Sequence, residues 1–211
     1  MTADFVLVHP LARFLPWVIA GGTALFLAIA LSPHPWNPGN AQATSPIQPR
    51  LVIVTGGQTG VDRATLDTAL SLFLPTRGWC PKGRSAEDGT IPAIYPMQET
   101  PSEDVAVRTE WNVRDSDGTL ILAFGDLAGG TQLTAQLARN YQRPALVIDA
   151  FKFSQKDKIR FDRWMQTNQI RILNVAGPRE SANPGVVYST AKQILRQLLE
   201  PFDHPSLRKT S

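Results

Sequence analysis

From Arg50 onward, short and wholly apolar runs alternate with longer stretches in which apolar residues recur every three or four positions. Residues 51–55 form the first run and read as a buried strand ending at a glycine turn. Over residues 62–74, Ala64, Leu66, Ala69, Leu70 and Phe73 keep helical spacing, with Asp62 able to cap the start and Pro75 stopping the helix. Residues 76–101 break the pattern with Pro81, Pro92, Pro96 and Pro101. Irregular stretches of that length inside a domain are usually lids or binding loops. A helix is predicted from Ser102, with Glu103 and Asp104 in its first turn, to about Asp115. Residues 118–124 are a second strand, followed by a glycine turn and a helix through Tyr141. Residues 145–149 are a third strand, 154–168 a helix, 170–175 a fourth strand, and 184–200 a last helix with Pro184 near its first position.

This β-α alternation with continuous apolar strands predicts an α/β fold, a three-layer Rossmann-like parallel sheet with helices on both faces. Crossovers in such sheets are right-handed, and ligands sit at the carboxyl ends of the strands near a topological switch point. Three of the four predicted strand ends, after Thr55, Phe124 and Val175, run into glycine turns. Gly56, Gly57 and Gly60 in the first turn permit positive φ and close approach of a ligand to the backbone. The next helix would add outward amides backed by its dipole, which suits a phosphorylated small molecule. One such turn is weak evidence, because β-to-α turns often need glycine merely to reverse the chain. Neither the dinucleotide fingerprint nor the Walker A spacing is present. Glycine turns concentrated on one edge favour a binding site.

Composition narrows the picture. The chain has 211 residues and a net charge of +3, too mild to indicate a nucleic-acid partner. Basic residues over 152–171 are interspersed with Asp157 and Asp162, as on a solvated helix face. The single cysteine, Cys80, excludes an intramolecular disulfide, fits a reducing compartment, and reads as a packed small hydrophobe sooner than a metal ligand. His9, His34 and His204 are too scattered for a metal site or a catalytic triad.

Residues 1–49 are different in kind: an uncharged stretch over 14–31, then a Pro/Asn/Gly/Ser-rich linker over 32–49. Three readings compete for them. They could form a signal segment with Ala41-Gln42-Ala43 as its cleavage site, a membrane anchor near the lower length limit of about 17 residues, or the product of a start codon placed too early. The domain organisation is therefore residues 1–49, a ligand-binding domain over 50–200, and a flexible tail over 201–211. A cytoplasmic location is expected, with membrane anchoring or export if residues 14–31 are genuine.

Five motifs, TGGQTGVDRATLD, GWCPKGRSAEDG, ETPSEDVAVRTEWNVRDSDGTLIL, GGTQLT and NVAGPRE, occur in that order over residues 51–199. Together they resemble the putative molybdenum carrier family, the circularly permuted YpsA-type branch of the Rossmann-like SLOG superfamily. The resemblance implies a non-catalytic carrier of a phosphorylated pterin, the molybdenum cofactor (molybdopterin), with molybdoenzymes as recipients and a homo-oligomer as one possible assembly. By position it implies contacts from Gly56, Gly57, Gln58, Thr59 and Gly60, then Lys82, Gly83 and Arg84, then Gly129, Gly130 and Thr131. Amide nests with Lys and Arg match the ligand's phosphate and oxo-metal centre.

The same superfamily contains nucleotide-processing N-glycosidases, whose glycine motif is followed by a working glutamate. This chain has Thr134 at that position, which argues against a hydrolase. A displaced carboxylate among Glu87, Asp88, Glu99 and Glu110 keeps the enzyme alternative open, and a nucleotide sensor without turnover is a third reading. Arg179, just after the last strand, suits a phosphate as well as it suits an ion pair with Glu180. Arg108, Glu110, Arg114 and Asp115 read as helix-surface ion pairs, Glu110 with Arg114 first among them. Trp111 reads as core.

Overall fold

Strand and helix boundaries follow from where the apolar runs stop. In a computed structural model that describes residues 50–203, β1 (Val52–Val54) leads through a glycine loop into α1 (Val61–Ser71). The proline-rich section then makes five two-residue strands, β2 (Thr76–Arg77), β3 (Trp79–Cys80), β4 (Ser85–Ala86), β5 (Gly89–Thr90) and β6 (Gln98–Glu99). After it come α2 (Val105–Arg114), β7 (Gly118–Ala123), α3 (Gly129–Asn140), β8 (Ala145–Asp149), α4 (Gln155–Thr167), β9 (Ile172–Ala176) and α5 (Val187–Leu199). These elements belong to a unit spanning Ser45–Ser211. Among the described residues no helix is long and apolar enough to cross a membrane. The stretch over 14–31 and all three histidines lie outside the described residues.

Five parallel strands form the main sheet in the order β2-β1-β9-β7-β8. The first half of the chain moves outward from β1 to β2, and the second half returns so that β9 is inserted between β1 and β7. Ile53 pairs with Leu173 and Leu120 with Val175 in register. Four strands are predicted by pattern, and β2 makes a fifth. Its two residues, Thr76 and Arg77, carry no apolar run, and parallel pairing to the edge of β1 alone defines them. The Rossmann-like α/β expectation holds.

The two faces differ in chemistry. Ile53, Leu120, Leu122, Leu173 and Val175 pack with residues of α1, α4 and α5 in one apolar core. Helices α2 and α3 pack together elsewhere on the sheet, where Asn174 Nδ2 donates to Thr119 Oγ1 at 3.2 Å across the β9–β7 pair. Helix α1 is tied outward through Asp67, which accepts from the hydroxyls of Tyr95 and Tyr188, each at 2.7 Å. Burial and that shared carboxylate push Tyr95 up to about 12.

Helix starts shift from their predicted places for local reasons. The N-cap of α1 is Gly60, so Asp62 is a first-turn residue and does not cap. Asp104, not Ser102, caps α2, accepting from the Ala106 amide at 2.8 Å, while Ser102 Oγ accepts from the Asp104 amide at 3.0 Å. Residues 180–182 form a separate 3-10 turn, so α5 begins at Val187, beyond Pro184. Helix α4 starts where predicted, with Ser154 and Asp157 forming a capping box that satisfies donors on both sides.

Candidate functional site

Three adjacent strands deliver their carboxyl ends to one place. Loops after β1, β9 and β7 contribute Gln58, Gly177–Arg179 and Phe124–Thr131 to a cleft of about 380 Å³, which Arg108 and Thr109 of α2 close from the side. That volume lies in the usual range for small-molecule sites. The cleft lies at the carboxyl ends of the adjacent parallel strands β1, β9 and β7, where such sheets place their ligands.

Helix α3 opens on this cleft. Its first three residues are Gly129, Gly130 and Thr131, and no side chain caps it. The Thr131 amide already donates to the Ala128 carbonyl at 3.1 Å, which leaves the Gly129 and Gly130 amides, at the positive end of α3, for whatever enters. Arg179 stands opposite with its side chain 60% exposed, and its Nε lies 3.9 Å from Glu87. That loose pair leaves the guanidinium available. Thr134 is buried and donates its hydroxyl to the Gly130 carbonyl at 2.8 Å.

Beneath the cleft, Asp62 is buried at 4% exposure. It accepts the Gln58 amide at 3.2 Å, and Arg108 Nη1 approaches it to 3.4 Å. Burial pushes its carboxyl above the ordinary aspartate value, against the pull of Arg108 and the Gln58 amide. Arg108 is the cleft residue that helix-surface reasoning misses. A signal exists in the sequence: Val105, Arg108, Thr109 and Asn112 share one α2 face, where polar residues occupy core spacing. Glu110 does not pair with Arg114 either. It accepts from the Tyr141 hydroxyl, and Arg114 binds Asp115 at 2.7 Å while lying 4.9 Å over the Trp111 ring. Trp111 is half-buried, edge-on to Trp79 at 4.7 Å. Asn112 accepts from the Trp79 amide and donates to its carbonyl, fixing β3 against α2.

The other residues implied by the resemblance are placed elsewhere. Gly56, Gly57 and Gly60 are buried, and Gly57 abuts Ile91 and Met97. Gly60 has φ +67°, and a Cβ there would come within 2.5 Å of the Pro178 carbonyl oxygen, so the β1 and β9 loops meet only through glycine. Thr59 and Gly60 face a second groove, of about 510 Å³, with Arg63, Glu87 and Tyr188. Lys82 and Gly83 are exposed and do not line the cleft. Gly83 gives its amide to Glu99 at 2.6 Å. Arg84 is committed to its own loop: its guanidinium donates to the carbonyls of Ile91, Pro92, Tyr95 and Met97 at 3.0–3.1 Å.

The candidate carboxylates are likewise engaged away from the cleft. Glu87 accepts from the Thr59 hydroxyl and from the Ser181 amide and hydroxyl, while its own amide donates to Gln58 Oε1 at 2.8 Å. Partial burial opposes its charge, but these donors and Arg179 outweigh it and hold Glu87 below the usual glutamate range. Asp88 pairs with Arg63 at 3.1 Å. Asp126 is the carboxylate that lines the cleft among the described residues. Cys80 is fully buried among Leu66, Ile91, Tyr95 and Met97, and burial pushes its thiol up.

Comparison with known proteins fits this geometry. A family model described as the circularly permutated YpsA SLOG family matches residues 53–199. The chain is also similar to a crystal structure, at 1.45 Å resolution, of a protein from Syntrophus aciditrophicus SB described as a putative molybdenum carrier protein. Identity is 43%, the TM-score is 0.69, and the match covers 72% of this chain and 96% of that one. No curated protein matches the chain. The family model spans well over half of the chain, across every strand that builds the cleft, and the chain therefore belongs to the circularly permutated YpsA SLOG family.

Proposed function

We propose that this protein binds a phosphorylated small molecule, the molybdenum cofactor above others, and carries it without turnover to molybdoenzymes. The observation that supports the reading most is the uncapped Gly129-Gly130-Thr131 start of α3, opening on the same cleft as Arg179 and Gln58. A terminal phosphate is the group that such amides and a loosely paired guanidinium suit. The molybdenum carrier name of the 43% identical protein favours a pterin-linked phosphate over other phosphorylated ligands.

Among the described residues the cleft lining contains no thiol or imidazole, and so no soft ligand for the metal part of that cofactor. Molybdenum would remain on the pterin's own sulfur ligands. Gly129, Gly130, Thr131 and Arg179 would hold the phosphate, and the half-buried Phe124 would lie beside the ring system. When bound, the cofactor supplies redox chemistry to a recipient enzyme, and the residues here orient it and exclude water.

The hydrolase reading is weaker, because Thr134 caps a carbonyl and Glu87, Asp88, Glu99 and Glu110 are engaged outside the cleft. The test is to isolate the full chain from a host that makes molybdopterin, oxidise it, and measure pterin fluorescence alongside native mass spectrometry. Pterin approaching one per chain is expected. A protein free of pterin, with no uptake when cofactor is added at micromolar concentration, overturns the carrier reading. Release of free base from nucleoside monophosphates would replace it with the hydrolase.

A further inference from the structure

We propose that Arg108 is the residue that reads the ligand's oxyanion, and that the buried Asp62 is the positioning residue that holds Arg108 beside the cleft. This deepens the anion-cleft reading above and rests on it.

Arg84 and Arg108 are used in opposite ways. Arg84 has four N–H bonds directed at four carbonyls at 3.0–3.1 Å, and its fork is filled. Arg108 makes one long contact, Nη1 to Asp62 Oδ2 at 3.4 Å, although its side chain is only 17% exposed. Its Nε is buried and has no hydrogen-bond partner among the described residues. A purely structural buried pair is normally short and bidentate, and a buried donor without an acceptor is costly. A guanidinium held at one edge, lining a cleft, is arranged to take an acceptor that arrives from outside.

The surroundings are built for that placement. Arg108, the fourth residue of α2, lays its guanidinium against Gly56 of the β1 loop. A Cβ at Gly56 would overlap its guanidinium and would come within 2.9 Å of Asp62 Oδ2. Gly56 is therefore required by the passage of Arg108, and not by ligand contact. The Asp62 oxygen that faces Arg108 also accepts the Gln58 amide at 3.2 Å. One buried oxygen thus sets the position of two cleft residues, one on the β1 loop and one on α2. A planar fork with an open edge selects a phosphate or pyrophosphate oxygen pair over a single negative charge.

Inorganic pyrophosphate titrated into the full chain tests this, read by calorimetry and by the arginine Nε–H resonances. In the wild-type protein the Arg108 Nε–H signal should shift and saturate together with the heat, while the Arg84 signal stays. Arg108→Lys keeps the charge opposite Asp62, so the buried pair survives, but it loses the fork. Affinity should fall roughly 10- to 100-fold. Asp62→Asn should weaken binding less than that, and should add nothing in the Arg108→Lys background. An unmoved Arg108 signal at calorimetric saturation overturns the inference while leaving the cleft reading intact. So does wild-type affinity in Arg108→Lys, and additive losses remove the role of Asp62. Absence of any heat or shift in the wild-type protein removes the cleft reading and this inference with it.

Discussion

Replacing Arg84 with Gln removes the centre of the loop over residues 91–97. The guanidinium donates to four carbonyls, those of Ile91 and Pro92 at one end and Tyr95 and Met97 at the other. A glutamine amide has two N–H groups on a shorter stem and can satisfy one or two of them. Hydrogen bonds to a charged donor contribute about 1.5–3 kcal/mol each where water is excluded. Here the Pro92 bond is exposed and the others are partly so, so water recovers much of each loss. A net destabilisation of about 2–4 kcal/mol is the resulting expectation. The left-handed backbone at Arg84, φ +55°, is shared by both side chains and does not enter. For a domain of this size that energy corresponds to a fall in Tm of roughly 5–15 °C. Urea unfolding followed by tryptophan fluorescence gives the free energy directly, and calorimetric titration with pyrophosphate gives the affinity. The expected pattern is lost stability with the binding constant within about twofold of wild type after correction for folded fraction. Unchanged stability with abolished binding would refute the assignment of Arg84 to its loop and return it to the ligand.

Other consequences can be checked as readily. Gly60→Ala places a Cβ at φ +67° within 2.5 Å of the Pro178 carbonyl, and should destabilise by about 2–4 kcal/mol in urea unfolding, whereas Gly130→Ala, with open space around it and no left-handed backbone, should lose much less. Glu87 sits below its ordinary value, so its contribution to stability is complete above about pH 4.3 and is lost as pH falls through the lower folded value. Hydrogen exchange in residues 178–182 should accelerate over that acid range, and Glu87→Gln should remove the dependence. Cys80 should resist thiol reagents in native buffer and react once the protein is unfolded, because it is fully buried. Asn112→Ala strands both the amide and the carbonyl of Trp79 and should cost about 2–3 kcal/mol, with a changed tryptophan emission.

How much of this was legible in the chain depends on whether the signal is local. Strand β7 is a continuous apolar run buried at every position, and β8 has boundaries that pattern alone predicts. Helix α4 announces itself through Ser154 and Asp157. Strand β2 could not be read, since two residues without an apolar run become a strand only when β1 is beside them. The cluster of glycine turns at one sheet edge located the cleft, yet the individual roles differed. Gly129 and Gly130 line it, whereas Gly56 and Gly60 make room for Arg108 and for the β9 loop. The placements of Arg84 and Arg108 are hard to read from sequence for one physical reason: a long cation's partner is set by which segment packs around it, and sequence spacing carries little of that. The polar face of α2, with Thr109 and Asn112 at core spacing, is the local trace that pointed inward.

The ends of β1, β9 and β7 form one cleft, which the reading above makes a seat for an oxyanion. A crystal structure of the full chain with pyrophosphate tests it most directly. Phosphate oxygens are expected within hydrogen-bonding distance of the Gly129 and Gly130 amides and of the Arg108 guanidinium. Pyrophosphate bound instead beside Lys82, or in the groove between Arg63 and Tyr188, would contradict it.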